Sequence, residues 1–324
     1  MLDALKFVQG AVSAKDFVPE LTHFQIKQGQ VKGYNGSITL CAPIALDLDC
    51  CPKAKPFVAA VNACNETARL HLTATGRLSI RSGAFRATVD TLQDPDAYPD
   101  MAPEGTRVPL PPGLLGTLRL LYDFSAEDAS RPWASGVLLD GAAAYATNNV
   151  ILVRRELPEA LPFRINIPRA TVAEMLRIGE DPLEAHTTST SATFSYSGNR
   201  WLRTALNATE WPDVDYMLRS KWNGEPAPLP GEGDELWRAV ETLKPFLQET
   251  GALYLGEHGA ATHSDTEQGA CVALSTAPPR CAVNARMLAL LEGVATRIDL
   301  SKWPEPMVFT GDRLCGVMVG LRDA

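Results

Sequence analysis

Glu257, His258, His263 and Asp265 lie close together in the chain, and residues of these types can ligate a divalent metal. They also flank Gly259, in a polar gap between two β-type runs, where a hairpin turn gathers solvated side chains. The turn is the better reading, and no metal is expected. Cys50 and Cys51 are adjacent. Vicinal cysteines make poor joint ligands, so both are expected to be small buried apolar residues. Gly231-Glu232-Gly233-Asp234 lacks the lysine and further glycine of a phosphate loop. No Gly-x-Ser-x-Gly elbow and no His-Glu-x-x-His occurs, and the acid pair Asp213 and Asp215 is explained by a loop. The residues point away from an enzyme and from any cofactor. A hydrolase on a repeat scaffold is the reading in which changing Glu257, His258 or Asp265 would abolish turnover.

The composition agrees with a folded, soluble chain. Of 324 residues, 45% are hydrophobic and 21% charged, with a net charge of −8. That excludes a disordered chain and one coated in basic charge, but allows a single basic face. No apolar run is long enough to span a membrane, and Leu2-Asp3-Ala4-Leu5 does not resemble a signal peptide. The seven cysteines form no CxxC pair, as expected of reduced thiols in the cytoplasm.

The elements that would carry these residues recur three times. Gly29, Gly141 and Gly259 each sit between β-type runs and are followed by Asn35, Asn148 and Asp265. Further on come Gly83, Gly198 and Gly311, each at a second hairpin. A helical segment precedes each second glycine: Pro56 to Ala63, Pro168 to Leu176, and Asn284 to Leu291, where Asn284 is a natural N-cap. Each third also opens with a helix. Leu2, Leu5, Val8 and Val12 have helical spacing, as do Leu114, Leu115, Leu118 and Leu121, and Leu236, Val240, Leu243 and Leu247 behind a capping Asp234. The pattern predicts an α+β chain of three repeated domains, each with two helices packed on antiparallel β-sheets. The Pro- and Gly-rich loops place the domains at residues 1–103, 104–221 and 222–324.

Several strings in this order resemble the bacterial β sliding clamp, the DNA polymerase III beta subunit. They are Arg81-Ser82-Gly83 through Thr91-Leu92 with Tyr98-Pro99; Ala146-Thr147-Asn148-Asn149-Val150-Ile151-Leu152; Ile165-Asn166-Ile167-Pro168-Arg169; Trp211-Pro212-Asp213 to Tyr216; and Val317-Met318-Val319-Gly320-Leu321-Arg322. The resemblance covers nearly the whole chain. Asn149-Val150-Ile151 stands where the family has Gly-His-Arg, Gly320 where it has proline, and the family's opening strand is missing. A divergent phage or plasmid version fits these departures.

The resemblance implies the DNA clamp fold. It implies a ring-forming homodimer that encircles double-stranded DNA without sequence preference and tethers a DNA polymerase and clamp loader through short peptide motifs. A clamp-fold adaptor or decoy that binds such peptides without encircling DNA is the alternative. By position, the partner-peptide pocket would use Thr147, Leu152, Pro212, Tyr216, Met217, Val319, Leu321 and Arg322. Basic residues assigned to helical segments would face DNA: Lys6, Lys53, Lys55, Arg119, Arg169, Arg177, Arg238, Lys244, Arg286 and Arg297, with Lys15 in the loop after the first helix. The subunit contact would set Arg86 and Val89 against Phe246 and Leu247.

Overall fold

The computed structural model describes all residues except 16, 95, 97, 100, 129, 223, 224, 266, 267, 323 and 324. Its elements fall into three similar runs. The first holds α1 (Leu2–Val8), β1 (Phe24–Lys27), β2 (Gln30–Tyr34), β3 (Ile38–Pro43), α2 (Ala54–Asn62), β4 (Arg69–Leu72), β5 (Leu78–Ser82) and β6 (Phe85–Val89). The second holds β7 (Thr106–Pro109), α3 (Leu114–Tyr122), β8 (Gly136–Asp140), β9 (Ala143–Thr147), β10 (Ile151–Glu156), β11 (Arg164–Pro168), α4 (Arg169–Ile178), β12 (Glu184–Thr187), β13 (Ser191–Tyr196) and β14 (Arg200–Ala205). The third holds α5 (Val214–Lys221), α6 (Glu235–Leu243), β15 (Ala252–Gly256), β16 (Gly259–Ala261), β17 (Cys271–Val272), β18 (Cys281–Asn284), α7 (Ala285–Ala289), β19 (Arg297–Ile298), β20 (Met307–Gly311) and β21 (Leu314–Met318).

The chain divides into two compact units. One comprises Met1–Leu115 with Ala173–Leu206, the other Gly116–Val172 with Asn207–Ala324. In the first unit a seven-stranded antiparallel sheet runs β1-β2-β3-β14-β13-β12-β7, and β4-β5-β6 form a separate three-stranded sheet. In the second, a seven-stranded sheet runs β11-β8-β9-β10-β21-β20-β19, beside a four-stranded sheet β17-β16-β15-β18. Each unit has an apolar core. Phe24 and Phe57 meet edge to face in the first, with centroids 6.5 Å apart. Ile151, Val153 and Phe309 are fully buried in the second.

Each seven-stranded sheet contains a seam where the strand that closes the first three-stranded meander of one run (β1-β2-β3 or β8-β9-β10) meets the last strand of the next. At β3–β14, Ile38 faces Thr204 and Cys41 faces Trp201. At β10–β21, Ile151 faces Met318 and Arg154 faces Cys315. The two seams share one register, because the same turn begins both strands. Asn35 Oδ1 accepts from the amides of Ser37 and Ile38 at 3.1 and 2.9 Å. Asn148 Oδ1 accepts from Val150 and Ile151 at 3.1 and 2.8 Å. A short polar side chain bonding the backbone just ahead is what such a turn requires.

The third copy corrects the sequence reading. Thr262, not Asp265, holds the equivalent place: its amide donates to Ala270 O, and its Oγ1 accepts from Ala270 N at 3.0 Å. A longer loop intervenes there. Other expectations shift at element ends. Val12 lies beyond α1, which closes in a 3-10 turn at Gln9–Ala11. Leu247 lies beyond α6, because Pro245 has no amide to donate and the chain tightens into a 3-10 turn at Lys244–Phe246. Phe246 therefore closes the 3-10 turn and Leu247 follows it, so neither belongs to α6. Arg297 lies on strand β19 rather than a helix. Asp234 makes no side-chain cap. Asn284 does cap α7, accepting from Arg286 N and Met287 N at 3.0 and 3.2 Å.

Candidate functional site

A small pocket opens on the second unit, where β9, β10 and β21 meet α5. Asp213 starts α5 by accepting from Tyr216 N at 2.9 Å. Val214 and Leu218 on its inner face are buried with Leu152, Trp211, Val308 and Val317. Tyr145 fixes the helix from below: its hydroxyl donates to Asp215 Oδ1 at 2.7 Å. Burial, helped by that carboxylate, pushes the Tyr145 phenol up to about 12. Arg154 Nε lies 3.7 Å from the same carboxylate. Trp133 packs edge to face on Trp211, with centroids 5.1 Å apart.

The pocket above this platform has a volume of about 110 Å³. That is well below the roughly 300–1,000 Å³ of a drug-sized ligand site and suits one apolar side chain. Its walls are Trp133, Leu152, Val214, Met217, Val317 and Val319, with Arg131 at the rim donating to Asn149 Oδ1 at 3.2 Å. Met217 and Val319 are 47% and 44% exposed. Two exposed apolar side chains thus stand at the mouth of a concave apolar floor.

Of the expected pocket residues, Thr147, Leu152, Pro212, Met217 and Val319 come together here. Tyr216 does not line the pocket and is 68% exposed on α5. Leu321 instead donates its amide to Ala282 O, and Arg322 lies outside the lining. Sequence reasoning passed over Arg131, Trp133, Val150, Ile151, Val214 and Val317. The period-two spacing of Val317 and Val319 could have signalled the first of these as a companion to the second.

The expected DNA-facing residues divide into two groups. Lys6, Lys55, Arg119, Arg238 and Arg286 lie exposed on α1, α2, α3, α6 and α7, and Lys15 is exposed in the loop after α1. Lys53 is half-buried at the start of α2. The others are engaged within the chain. Arg169 donates to Tyr122 O, to Ser125 O at 2.9 Å and to Glu127 at 3.0 Å, and stacks 4.0 Å from the Tyr122 ring. Arg177 donates to Glu174 and to Phe7 O. Lys244 pairs with Glu241 at 3.1 Å, and Arg297 with Glu225 at 3.4 Å. Among the expected contact residues, Arg86 and Phe246 are exposed and Leu247 is half-buried, whereas Val89 is buried.

Among the described residues, no three His, Cys, Asp or Glu side chains are grouped to hold a metal. His258 pairs with Glu257 at 3.3 Å, and His263 Nδ1 accepts from Asp265 N at 3.3 Å. Burial pushes the Cys50 and Cys51 thiols up to about 11 and about 12, so neither is poised as a thiolate.

The fold is that of the bacterial DNA polymerase sliding clamps, matched from end to end. The chain is similar to the sliding clamp of Bacillus subtilis, with a TM-score of 0.83 and 16% identity over 100% of this chain and 97% of that one. It is similar to the DNA polymerase beta subunit of Streptococcus pyogenes, with a TM-score of 0.81 and 18% identity over 99% and 97%. It is also similar to the Helicobacter pylori beta clamp bound to a DNA ligase peptide, with a TM-score of 0.78 and 13% identity over 99% and 97%. No family model matches the chain, and no curated protein sequence does. No helix among the described residues is long and apolar enough to cross a membrane.

Proposed function

We propose that this chain is a DNA sliding clamp: a non-enzymatic processivity factor that encircles duplex DNA as a ring-shaped homodimer and tethers replication proteins. Its three domains would be residues 1–103, 104–221 and 222–324, working in the cytoplasm. The observation that carries this reading is the unfinished third seam. β3 meets β14 and β10 meets β21, yet the equivalent strands β17 and β6 are each the outer strand of their sheets. Unpaired strand edges invite pairing with another chain. Head-to-tail pairing closes a ring when the rotation allows it. With the register of the other two seams, β6 of one copy would set Arg86 opposite Ala273 and Thr88 opposite Cys271 of a second copy. Topology then holds the DNA, so weak phosphate contacts from residues such as Lys6 and Arg119 suffice.

The pocket beside α5 would take apolar anchors from short peptides of a DNA polymerase and a clamp loader. The Helicobacter pylori clamp solved with a DNA ligase peptide supports peptide binding by this fold. Such tethering raises the effective concentration of the partner at the primer end. The test is solution mass by light scattering, then retention on closed circular DNA and release when the circle is cut. A monomer at every concentration, or equal retention on linear DNA, would refute the ring. The second reading is a non-encircling adaptor that keeps only the pocket. Arg169 and Arg177 favour it, since both are engaged by groups of their own chain.

A further inference from the structure

An acidic connecting segment engages one face of each seven-stranded sheet, whereas among the described residues no such segment bonds the arginines of the sheet β4-β5-β6. In the first unit, Tyr98, Met101 and Glu104 lie against the seven-stranded sheet. Lys32 Nζ donates to Met101 O at 2.8 Å, Tyr98 lies buried, and Arg203 pairs with Glu104. In the second unit, residues 207–222 cross the other seven-stranded sheet, and Asp215 meets Tyr145 and Arg154. Both segments are acidic: Asp94, Asp96 and Glu104 in one, Glu210, Asp213 and Asp215 in the other.

The three-stranded sheet β4-β5-β6 carries a row of arginines that no such segment engages among the described residues. Arg69 faces Arg81, and Arg81 faces Arg86, in one row across all three strands. The row lies on the face opposite buried Ile80, and all three arginines are exposed. None has an ion pair or side-chain hydrogen bond among the described residues. Asp90, beyond the row on β6's side, is taken by Arg77 at 3.1 Å. Like charges directly opposite one another on neighbouring strands destabilise a sheet. The row is thus a cost to the isolated chain that a bound anion would remove.

We propose that the Arg69, Arg81 and Arg86 row is a docking surface for an extended acidic segment of a partner protein. The two engaged faces show how this chain answers such arginines, which is with protein carboxylates. The guanidinium fork suits that chemistry, because it can hold a carboxylate through two parallel hydrogen bonds. The surface belongs to the first unit and the peptide pocket to the second, and the surface does not depend on the ring: in the seam register above, the Arg86 backbone pairs at the sheet edge while its side chain remains on the face opposite Ile80.

The test is fluorescence anisotropy of a labelled peptide of alternating glutamate and serine, titrated with the full chain at low salt. A glutamine-and-serine peptide and oligo-dT of equal length serve as competitors. The expected result is binding of the glutamate peptide, weakened about tenfold in Arg81→Gln with no fall in Tm, since the substitution relieves repulsion. Arg69→Gln provides the same reading from the edge of the row. Failure of the wild-type chain to bind the peptide, binding as tight as wild type by both variants, or displacement by the glutamine peptide would overturn the proposal. So would tighter binding of oligo-dT, which would make the row a nucleic-acid surface.

Discussion

Tyr145 and Asp215 tie a strand to a helix that is remote in sequence, through one hydrogen bond of 2.7 Å. That bond joins the buried Val214 and Leu218 in holding α5, which carries Met217 of the pocket wall, on the sheet. Tyr145→Phe keeps the ring and loses the bond. It should cost about 1 kcal/mol, read as a lower midpoint in urea unfolding.

The same phenol gives a pH signature. Its value in the fold is pushed up to about 12 by burial and Asp215, against about 10 in an unfolded chain. A raised value means that the folded state keeps the proton longer, so this stability is complete below about pH 10 and is lost as pH rises toward 12. Tyr196 and Tyr98 are raised in the same direction, chiefly by burial. Thermal melts from neutral to strongly alkaline pH should fall in that window, and less steeply in Tyr145→Phe.

Met217 is half exposed on the pocket wall. Met217→Glu should leave Tm nearly unchanged, as for most surface substitutions. It should weaken binding of an apolar clamp-partner peptide at least about tenfold, by placing a charge where an apolar anchor would be buried. Trp133, on the same wall, supplies a fluorescence signal for the titration.

Arg119 and Arg169 separate the proposed DNA contact from structure. Arg119→Ala should lower the slope of log affinity against log salt by about one unit and leave Tm alone. Arg169→Ala should lower Tm, since it strips Ser125 O and Glu127 of their partner. An unchanged Tm in Arg169→Ala would show that its contacts contribute nothing to the fold.

The proposed subunit seam can be locked. Thr88→Cys would sit opposite the native Cys271, and facing residues of an antiparallel pair lie about 4.5–5.5 Å apart at Cα, within disulfide reach. Oxidation should give a covalent dimer on a non-reducing gel. Cys41 and Cys281, pushed up to about 12 by burial, should not compete. A covalent dimer that also forms in Thr88→Cys lacking Cys271 would refute the register.

The repeat was legible because its markers are local. Asn35 and Asn148 bond amides two and three residues away, so type and spacing alone betray them. The third marker was misplaced because threonine does the same work as asparagine at Thr262, ahead of a longer loop. Leu152 and Met217 were found through strings of neighbours. Trp133 was not, because its partner Trp211 is distant in sequence. Arg169 and Arg177 read as DNA-facing helix cations for the same reason: the carbonyls that engage them come from other segments.

The two seams also explain how so little shared sequence leaves the whole fold intact. A strand junction is secured by main-chain amides and carbonyls, which every residue except proline supplies alike. Cys41 beside Trp201 and Arg154 beside Cys315 occupy matching places with unrelated side chains. The joints of this protein are therefore nearly blind to residue identity. Its architecture can outlast the amino acids that first encoded it, while the lineage recorded in those amino acids fades.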